Sequence, residues 1–258
     1  MSNPPRYIAV VDLECTCSDT NAGDDTVRRS DMETIEIGAV MLRRHDFEPV
    51  DEFERFVHPV VHRELTDFCK NLTSISQHDV DAAPRFAEVY WRFAEWLAHW
   101  QAAQWGSWGN FDAHQLQLDA RRHGLQDDLT YLPAHVNVKN WWAKRMGMKR
   151  VGLGRAVQTA GLEFEGRAHR GIDDARMIAK LLPGVGWPRI PQGAGIRPVD
   201  TADEQAIAAQ RAQADEDRRI EAEGTGAERA DLRKRKGQRR EHVVGWQPHS
   251  GHGGDDDG

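Results

Sequence analysis

Four consecutive apolar residues, Ile8, Ala9, Val10 and Val11, are followed at once by Asp12, Leu13 and Glu14. A short β-branched run of this kind predicts a buried strand over residues 7 to 14. Side chains two apart leave a strand on the same face, so Asp12 and Glu14 stand with their Cα atoms roughly 6.5 to 7 Å apart and both can reach one ion. A strand that simply runs out into solvent would give the same pattern, and on these residues alone both readings stay open.

The following segments show what surrounds that strand. TIEIGAVMLR at 34 to 43 and DEFERFVHP at 51 to 59 read as two more strands, separated from the first by a polar, aperiodic stretch at 18 to 33 that reads as a solvent-facing loop. Three consecutive strands with short returns predict an antiparallel meander. After Pro84, Phe86, Val89, Tyr90, Phe93, Trp96, Leu97 and Trp100 recur at three- and four-residue spacing, which predicts an amphipathic helix. Residues 103 to 109 then read as a strand, Asp112 to His123 as a helix, 135 to 142 as a strand running into a helix, and Gly154 to Ala160 as a short helix. Ile172 to Leu182 reads as a helix stopped by Pro183 and Gly184. Strands first and helix–strand alternation later predict an α/β fold: a mixed sheet, the meander joined by parallel strands, with helices on its faces.

Residues 1–190 are expected to form one domain and 191–258 a charged tail, because apolar residues and aromatics thin out beyond Pro191. Within the tail, 201 to 223 has strong helix formers but few apolar positions, so it reads as a solvated helix. The basic run at 233 to 240 reads as a solvated segment, with an electrostatic contact to RNA or a protein partner as the alternative. Cys15, Cys17 and Cys69 are too few for a disulfide framework and suit a reducing interior. No basic-then-apolar leader and no membrane-length run is present, so a cytoplasmic protein with no membrane contact is expected. The formal net charge is −7. Subtracting the 11 basic and 14 acidic residues after Ile190 from totals of 34 and 41 leaves 23 and 27, an excess of four acids that bound divalent cations would neutralise. Sequence-blind binders of nucleic acid usually carry the opposite balance.

Three residues join the first pair. Asp112 lies in WGNFD where a strand gives way to a helix; with Gln115 three residues on, it resembles a helix N-cap, yet the crevice beyond strand ends is also where ligands gather in α/β sheets. In the last helix, Asp173 shares a side with Arg176 and Lys180, whereas Asp174 falls beside Ile178 and Leu181 at the edge of an apolar stripe. An ionised carboxylate pressed against such a stripe is costly unless a cation meets it, so Asp174 is the ligand candidate and Asp173 a surface acid. His169 lies five residues before Asp174, outside the regular helix, and an imidazole suits proton abstraction at neutral pH.

In order, DLECTC, WGNFD and HRGIDDA resemble the three motifs of the DEDDh exonucleases of the ribonuclease-H-like superfamily. EIGAV at 36 to 40, the 68 to 86 stretch and the 162 to 180 run resemble the subgroup of histone-message and small-interfering-RNA exonucleases and their bacterial relatives, over about residues 6 to 182. The resemblance implies a ribonuclease-H-like sheet, metal ligands at Asp12, Glu14, Asp112 and Asp174, a general base at His169, and two Mg²⁺ or Mn²⁺ ions. It implies release of nucleoside 5′-monophosphates from 3′ ends, with RNA favoured. Leu13, Thr16, Thr73, Ile75 and Phe111 resemble positions that grip the terminal nucleotide, and Arg170 is the cation expected to meet a phosphate. A DNA exonuclease using the same residues, and a catalytically silent nucleic-acid-binding adaptor, are the alternatives.

Overall fold

The computed structural model describes residues 6–102, 104–125 and 132–188, together with 220, 224–226, 228 and 231. Five strands form one sheet: β1 (Tyr7–Cys15), β2 (Thr34–Arg43), β3 (Glu48–Phe56), β4 (Gln104–Ser107) and β5 (Ala134–Asn137), in the order β3-β2-β1-β4-β5. β1, β2 and β3 are antiparallel neighbours, while β4 pairs parallel to β1 and β5 parallel to β4. The expected meander joined by parallel strands is therefore present, with the acid-ended strand at its centre.

Seven α-helices accompany the sheet among the described residues: α1 (Asp67–Thr73), α2 (Gln77–Asp81), α3 (Phe86–His99), α4 (Phe111–Arg122), α5 (Val138–Met146), α6 (Leu153–Thr159) and α7 (Gly171–Val185). The two-residue period of β1 divides its apolar run between two cores. Ile8 and Val10 join Val40 and Leu42 beneath Ile172, Ala175, Ile178 and Leu182 of α7. Ala9, Val11 and Leu13 join Met41 against Val89, Tyr90, Phe93 and Leu97 of α3. Burying each large side chain of this kind contributes roughly 1.5–3 kcal/mol, so α3 and α7 are held by their apolar stripes rather than by helix propensity.

Several boundaries differ from expectation for local physical reasons. β3 lies three residues earlier than the 51 to 59 reading, because the β2–β3 turn closes through Phe47, at φ 61, with its N–H on the Arg43 carbonyl. Pro183 does not stop α7; it removes one N–H, but Gly186 N–H bonds the Leu182 carbonyl and completes the last turn. The 18 to 33 segment is tethered rather than solvent-facing throughout. Val27 and Glu33 are buried, the Glu33 carboxylate accepts N–H bonds from Val60, Val61 and His62, and Arg122 donates to the carbonyls of Ser30 and Met32. The 68 to 86 stretch carries two short helices, the first capped by Thr66 and the second by a Ser76–Asp79 capping box. Of the tail segment read as a solvated helix, Ile220 alone is described; it is helical and buried. The basic run at 233 to 240 lies outside the described residues.

The contact that places α7 on the sheet is made by two glycines. A Cβ on Gly38 would lie 2.1 Å from the backbone of Gly171 and Ile172, and one on Gly171 would lie 2.9 Å from the Asp12 carbonyl. Gly38 pairs across the sheet with Asp12, so the first turn of α7 crosses directly over the acidic end of β1. Gly38→Ala is expected to destabilise the protein by about 3 kcal/mol or more, since the clash is with backbone that cannot rotate away. A urea melt with an unchanged midpoint would show that α7 is not seated this closely.

Candidate active site

Each acid reaches the site by a different route. Asp12 and Glu14 project from one face at the end of β1, Asp12 half-buried and Glu14 buried. Asp112 stands one residue inside α4 and is buried; it is not the N-cap, a position held by Asn110. Its Oδ1 instead accepts the Leu13 N–H at 3.1 Å, so the main chain between Asp12 and Glu14 holds it in place. Gln115, the partner that a capping reading requires, donates to the Met32 carbonyl and to Asp119. Asp174 is buried on the inner side of α7, as its place beside the apolar stripe predicts.

His169 precedes α7 in the left-handed region, at φ 63, and its N–H donates to Asp174 Oδ2 at 3.1 Å. A ligand atom from each of Glu14, His169 and Asp174 falls within 4.8 Å of the others, a spacing that suits one shared cation. The main-chain conformation that brings the ring over the site is one that non-glycine residues rarely adopt. Asp173, read as a plain surface acid, pairs with Arg176 as expected but also accepts the Arg167 N–H at 2.9 Å, and Gly166 is folded against its carboxylate. It therefore braces the loop that carries His169.

The electrostatics fit a cation. Burial, then the charges of Asp112, Glu14 and Asp174, raise the Asp12 carboxyl well above its ordinary range. Burial and Asp174 push Glu14 up to about 9, and burial raises Asp174 to about 6 against the lowering effect of the His169 N–H. Asp112 is raised by burial, while bonds from Ser107 and Leu13 and the charge of Lys139 oppose the shift. No basic side chain among the described residues forms an ion pair with any of the four. Oxygen-rich, mutually repelling and buried, this donor set matches a hard divalent ion.

Glu36, which the sequence reading did not single out, is the cross-strand neighbour of Glu14 and fully buried. Its carboxylate accepts the Gly171 N–H and the Arg170 guanidinium, fastening α7 to β2. A lone acid inside the apolar run TIEIGAVML was the available signal. Arg170, expected at a phosphate, is turned toward Glu36 and Glu54 and lies over the Phe56 ring. Ion pairing with a fully buried carboxylate commits it to the fold. Among the expected nucleotide contacts, Leu13, Thr16, Thr73 and Ile75 are buried. Thr16 is tied to Glu33 through N–H and Oγ1, and the Thr73 hydroxyl bonds the Cys69 carbonyl and the Ile75 N–H. Phe111 is half-exposed, with Arg29 5.9 Å from its ring centre.

Residues 9–182 match the family model described as Exonuclease. The chain belongs to this exonuclease family. It is 27% identical over 187 residues to mouse 3′-5′ exoribonuclease 1, covering 68% of this chain and 51% of that protein. It is 30% identical over 192 residues to ERI1 exoribonuclease 3 of Bos taurus, covering 70% and 55%. The exonuclease chain thus spans about half the length of the curated relatives it matches. Among solved structures it resembles the nuclease domain of 3′hExo, a DEDDh family member bound to rAMP, at 25% identity and a TM-score of 0.59, covering 71% of this chain and 92% of that one. The ribonuclease-H-like sheet expected of the family is the sheet observed.

Raised carboxyl values have a signed consequence for stability. Between the ordinary carboxylate range and the folded values, the folded chain binds more protons than the unfolded one, so metal-free stability falls as pH rises from about 4.5 to about 9. Thermal melts in EDTA should show a melting temperature that declines across this window, and added Mn²⁺ should raise it more at pH 8 than at pH 5. A flat or rising EDTA profile would show that the acids do not confront one another.

Proposed function

We propose that this chain is a divalent-metal-dependent 3′-to-5′ exonuclease that removes nucleoside 5′-monophosphates from nucleic-acid 3′ ends, with RNA the favoured substrate. The observation that carries this reading is the convergence of Asp12, Glu14, Asp112, Asp174 and His169 at the end of β1 in a chain that the exonuclease family model matches. The preference for RNA rests on likeness to exoribonucleases and to a nuclease domain crystallised with rAMP.

Asp12, Glu14, Asp112 and Asp174 would hold Mg²⁺ or Mn²⁺, two ions in the family pattern. Bound there, the metal supplies charge stabilisation at phosphate and makes water a better nucleophile near neutral pH. The chain's own residues do the rest. His169 takes the proton of the attacking water on the ring nitrogen that faces Glu14 and Asp174, while its N–H on Asp174 Oδ2 fixes the ring's approach. The Leu13 N–H keeps Asp112 turned into the site. Water's oxygen forms the new bond to phosphorus, the bond to the 3′ oxygen breaks, and the shortened strand departs with a 3′ hydroxyl. The half-exposed Phe111 ring offers a stacking face for the terminal base, indifferent to its identity. No helix among the described residues is long and apolar enough to cross a membrane, and three free cysteines suit a reducing, cytoplasmic setting.

The test uses 5′-labelled RNA and DNA of matched sequence, incubated with Mg²⁺ or Mn²⁺ and then with EDTA. RNA should shorten stepwise from its 3′ end in metal and stay intact in EDTA; faster loss of DNA would overturn the substrate choice, and no metal-dependent shortening of either would overturn the activity. Asp12→Ala and Asp174→Ala should abolish shortening, and His169→Ala should slow it by roughly 100-fold or more. Asp173→Ala should cost roughly tenfold in turnover, the scale of one hydrogen bond to a charged acceptor. Wild-type turnover in Asp173→Ala would show that the His169 loop needs no brace.

A further inference from the structure

Beyond the carboxylates, the three free cysteines lie together where β1 ends, Cys15 and Cys69 buried and Cys17 half-buried. Cys69 sits in the first turn of α1, and the N-cap of that helix, Thr66, receives the Cys69 N–H at 3.0 Å while its hydroxyl donates to the Cys17 carbonyl at 2.6 Å. One threonine thus fastens the chain at residue 17 to the turn that carries Cys69. Cys69 Sγ donates to the Cys15 carbonyl at 3.6 Å, and the Cys17 thiol interacts electrostatically with the same sulfur. Cys17 also packs on the small apolar cluster that contains Cys69, Ile35, Ile75 and Val80. The two thiols therefore share one small cluster and one threonine bridge, Cys17 half-buried and Cys69 buried.

We propose that Cys17 and Cys69 form a reversible disulfide whose closure disables the adjacent carboxylate site. Hydrogen peroxide is the oxidant, and the accessible Cys17 sulfur meets it first. That sulfur bonds to one peroxide oxygen, the O–O bond breaks, and the departing oxygen leaves as water, giving a sulfenic acid at Cys17. The Cys69 sulfur then attacks the Cys17 sulfur, the S–O bond breaks, and the hydroxide leaves as a second water with the Cys69 proton. Two thiols lose two electrons and two protons, and the peroxide is reduced to two waters. The interaction between the pair raises the Cys17 thiol above its ordinary value and draws Cys69 below it, so Cys69 is the readier attacking sulfur and Cys17 meets peroxide through its exposure.

Closure bears on the site through the backbone. Cys17 is three residues after Glu14, and Thr16 between them is pinned by two bonds to Glu33. Drawing Cys17 to a sulfur–sulfur distance of about 2 Å therefore strains the chain on both sides of a fixed threonine. The pairing of β1 with β2 already shifts register between Glu14 and Cys15, so the strain falls on the irregular link that aims Glu14. At the other end, α1 runs into Thr73 and Ile75, and Cys69 accompanies any shift of that helix.

The effect on hydrolysis rests on the exonuclease reading; the bond itself does not. Fully reduced full-length protein is treated with stoichiometric hydrogen peroxide and followed by intact mass, alkylation of remaining thiols, Mn²⁺ affinity by calorimetry, and RNA shortening. The mass should fall by two hydrogens, a Cys17–Cys69 cross-linked peptide should appear, and Mn²⁺ affinity and RNA shortening should both drop roughly 10- to 100-fold, returning with dithiothreitol. Cys17→Ser and Cys69→Ser should each keep basal activity and resist peroxide; if the buried Cys69 position does not tolerate the change, the half-exposed Cys17 variant decides. Both thiols remaining alkylatable, a disulfide without change in Mn²⁺ affinity, or equal peroxide sensitivity in Cys17→Ser would each overturn the proposal. If the reduced protein shortens no RNA, the exonuclease reading fails, while the mass and Mn²⁺ readings still judge the switch.

Discussion

The site exists because two backbones come closer together than any side chain would permit. Gly38 on β2 and Gly171 at the start of α7 face each other with no room for a Cβ on either, and this lets the helix cross the sheet just above Asp12. Displacing α7 outward by the width of a methyl group would take Asp174 away from Glu14 and detach the Gly171 N–H from Glu36. The loop that carries His169 enters the same turn, so its position follows from the same contact. The apolar stripe of α7 holds the helix on the sheet, but stripes alone tolerate sliding; the glycine pair selects one height and one register.

Against this close packing stands the repulsion it creates. All four carboxyl values are raised, with burial as the leading cause in each and the charges of neighbouring acids adding to it at Asp12, Glu14 and Asp174. The fold bears this cost through its two apolar cores, one on each face of β1, and through braces that act on the acids individually: the Leu13 N–H on Asp112 and the His169 N–H on Asp174. Each brace is a main-chain donor, which holds a carboxylate without neutralising it. A local departure from the rules that stabilise the rest of a fold is what a binding site for an opposite charge requires.

How much of this was legible in the sequence depends on the range of the interaction. The meander, the amphipathic helix after Pro84 and the inward turn of Asp174 follow from periods of 2 and 3.6 residues, and all three are present in the structure. Asp112 was ambiguous because an N-cap and the second residue of a helix differ by two positions, closer than a pattern can locate a helix start; the bond from Leu13, 99 residues earlier in the chain, decides it. Glu36 and Arg170 show the same limit. Each looks like an isolated charge until the fold places them 3.2 Å apart as an ion pair. Thr16 and Thr73 likewise have their hydroxyls engaged by Glu33, Cys69 and Ile75, partners that no local period reveals.

The distribution of cations completes the logic of the site. Arg170 is given to Glu36 and Glu54, Arg176 to Glu52 and Asp173, Arg122 to the buried Asp119, and Lys180 to Glu165. Glu36 lies across the strand pair from Glu14, so an arginine stands one residue away from the cluster and still ends on the wrong side of it. Had Arg170 reached Glu14 instead, an internal ion pair would have neutralised that acid and removed the cluster's demand for a cation. The fold therefore neutralises the acids that fasten α7 to the sheet and leaves without an ion pair, among the described residues, the four that face the end of β1. That separation, more than the number of acids, is what suits the cluster to a divalent ion rather than to a salt-bridged core.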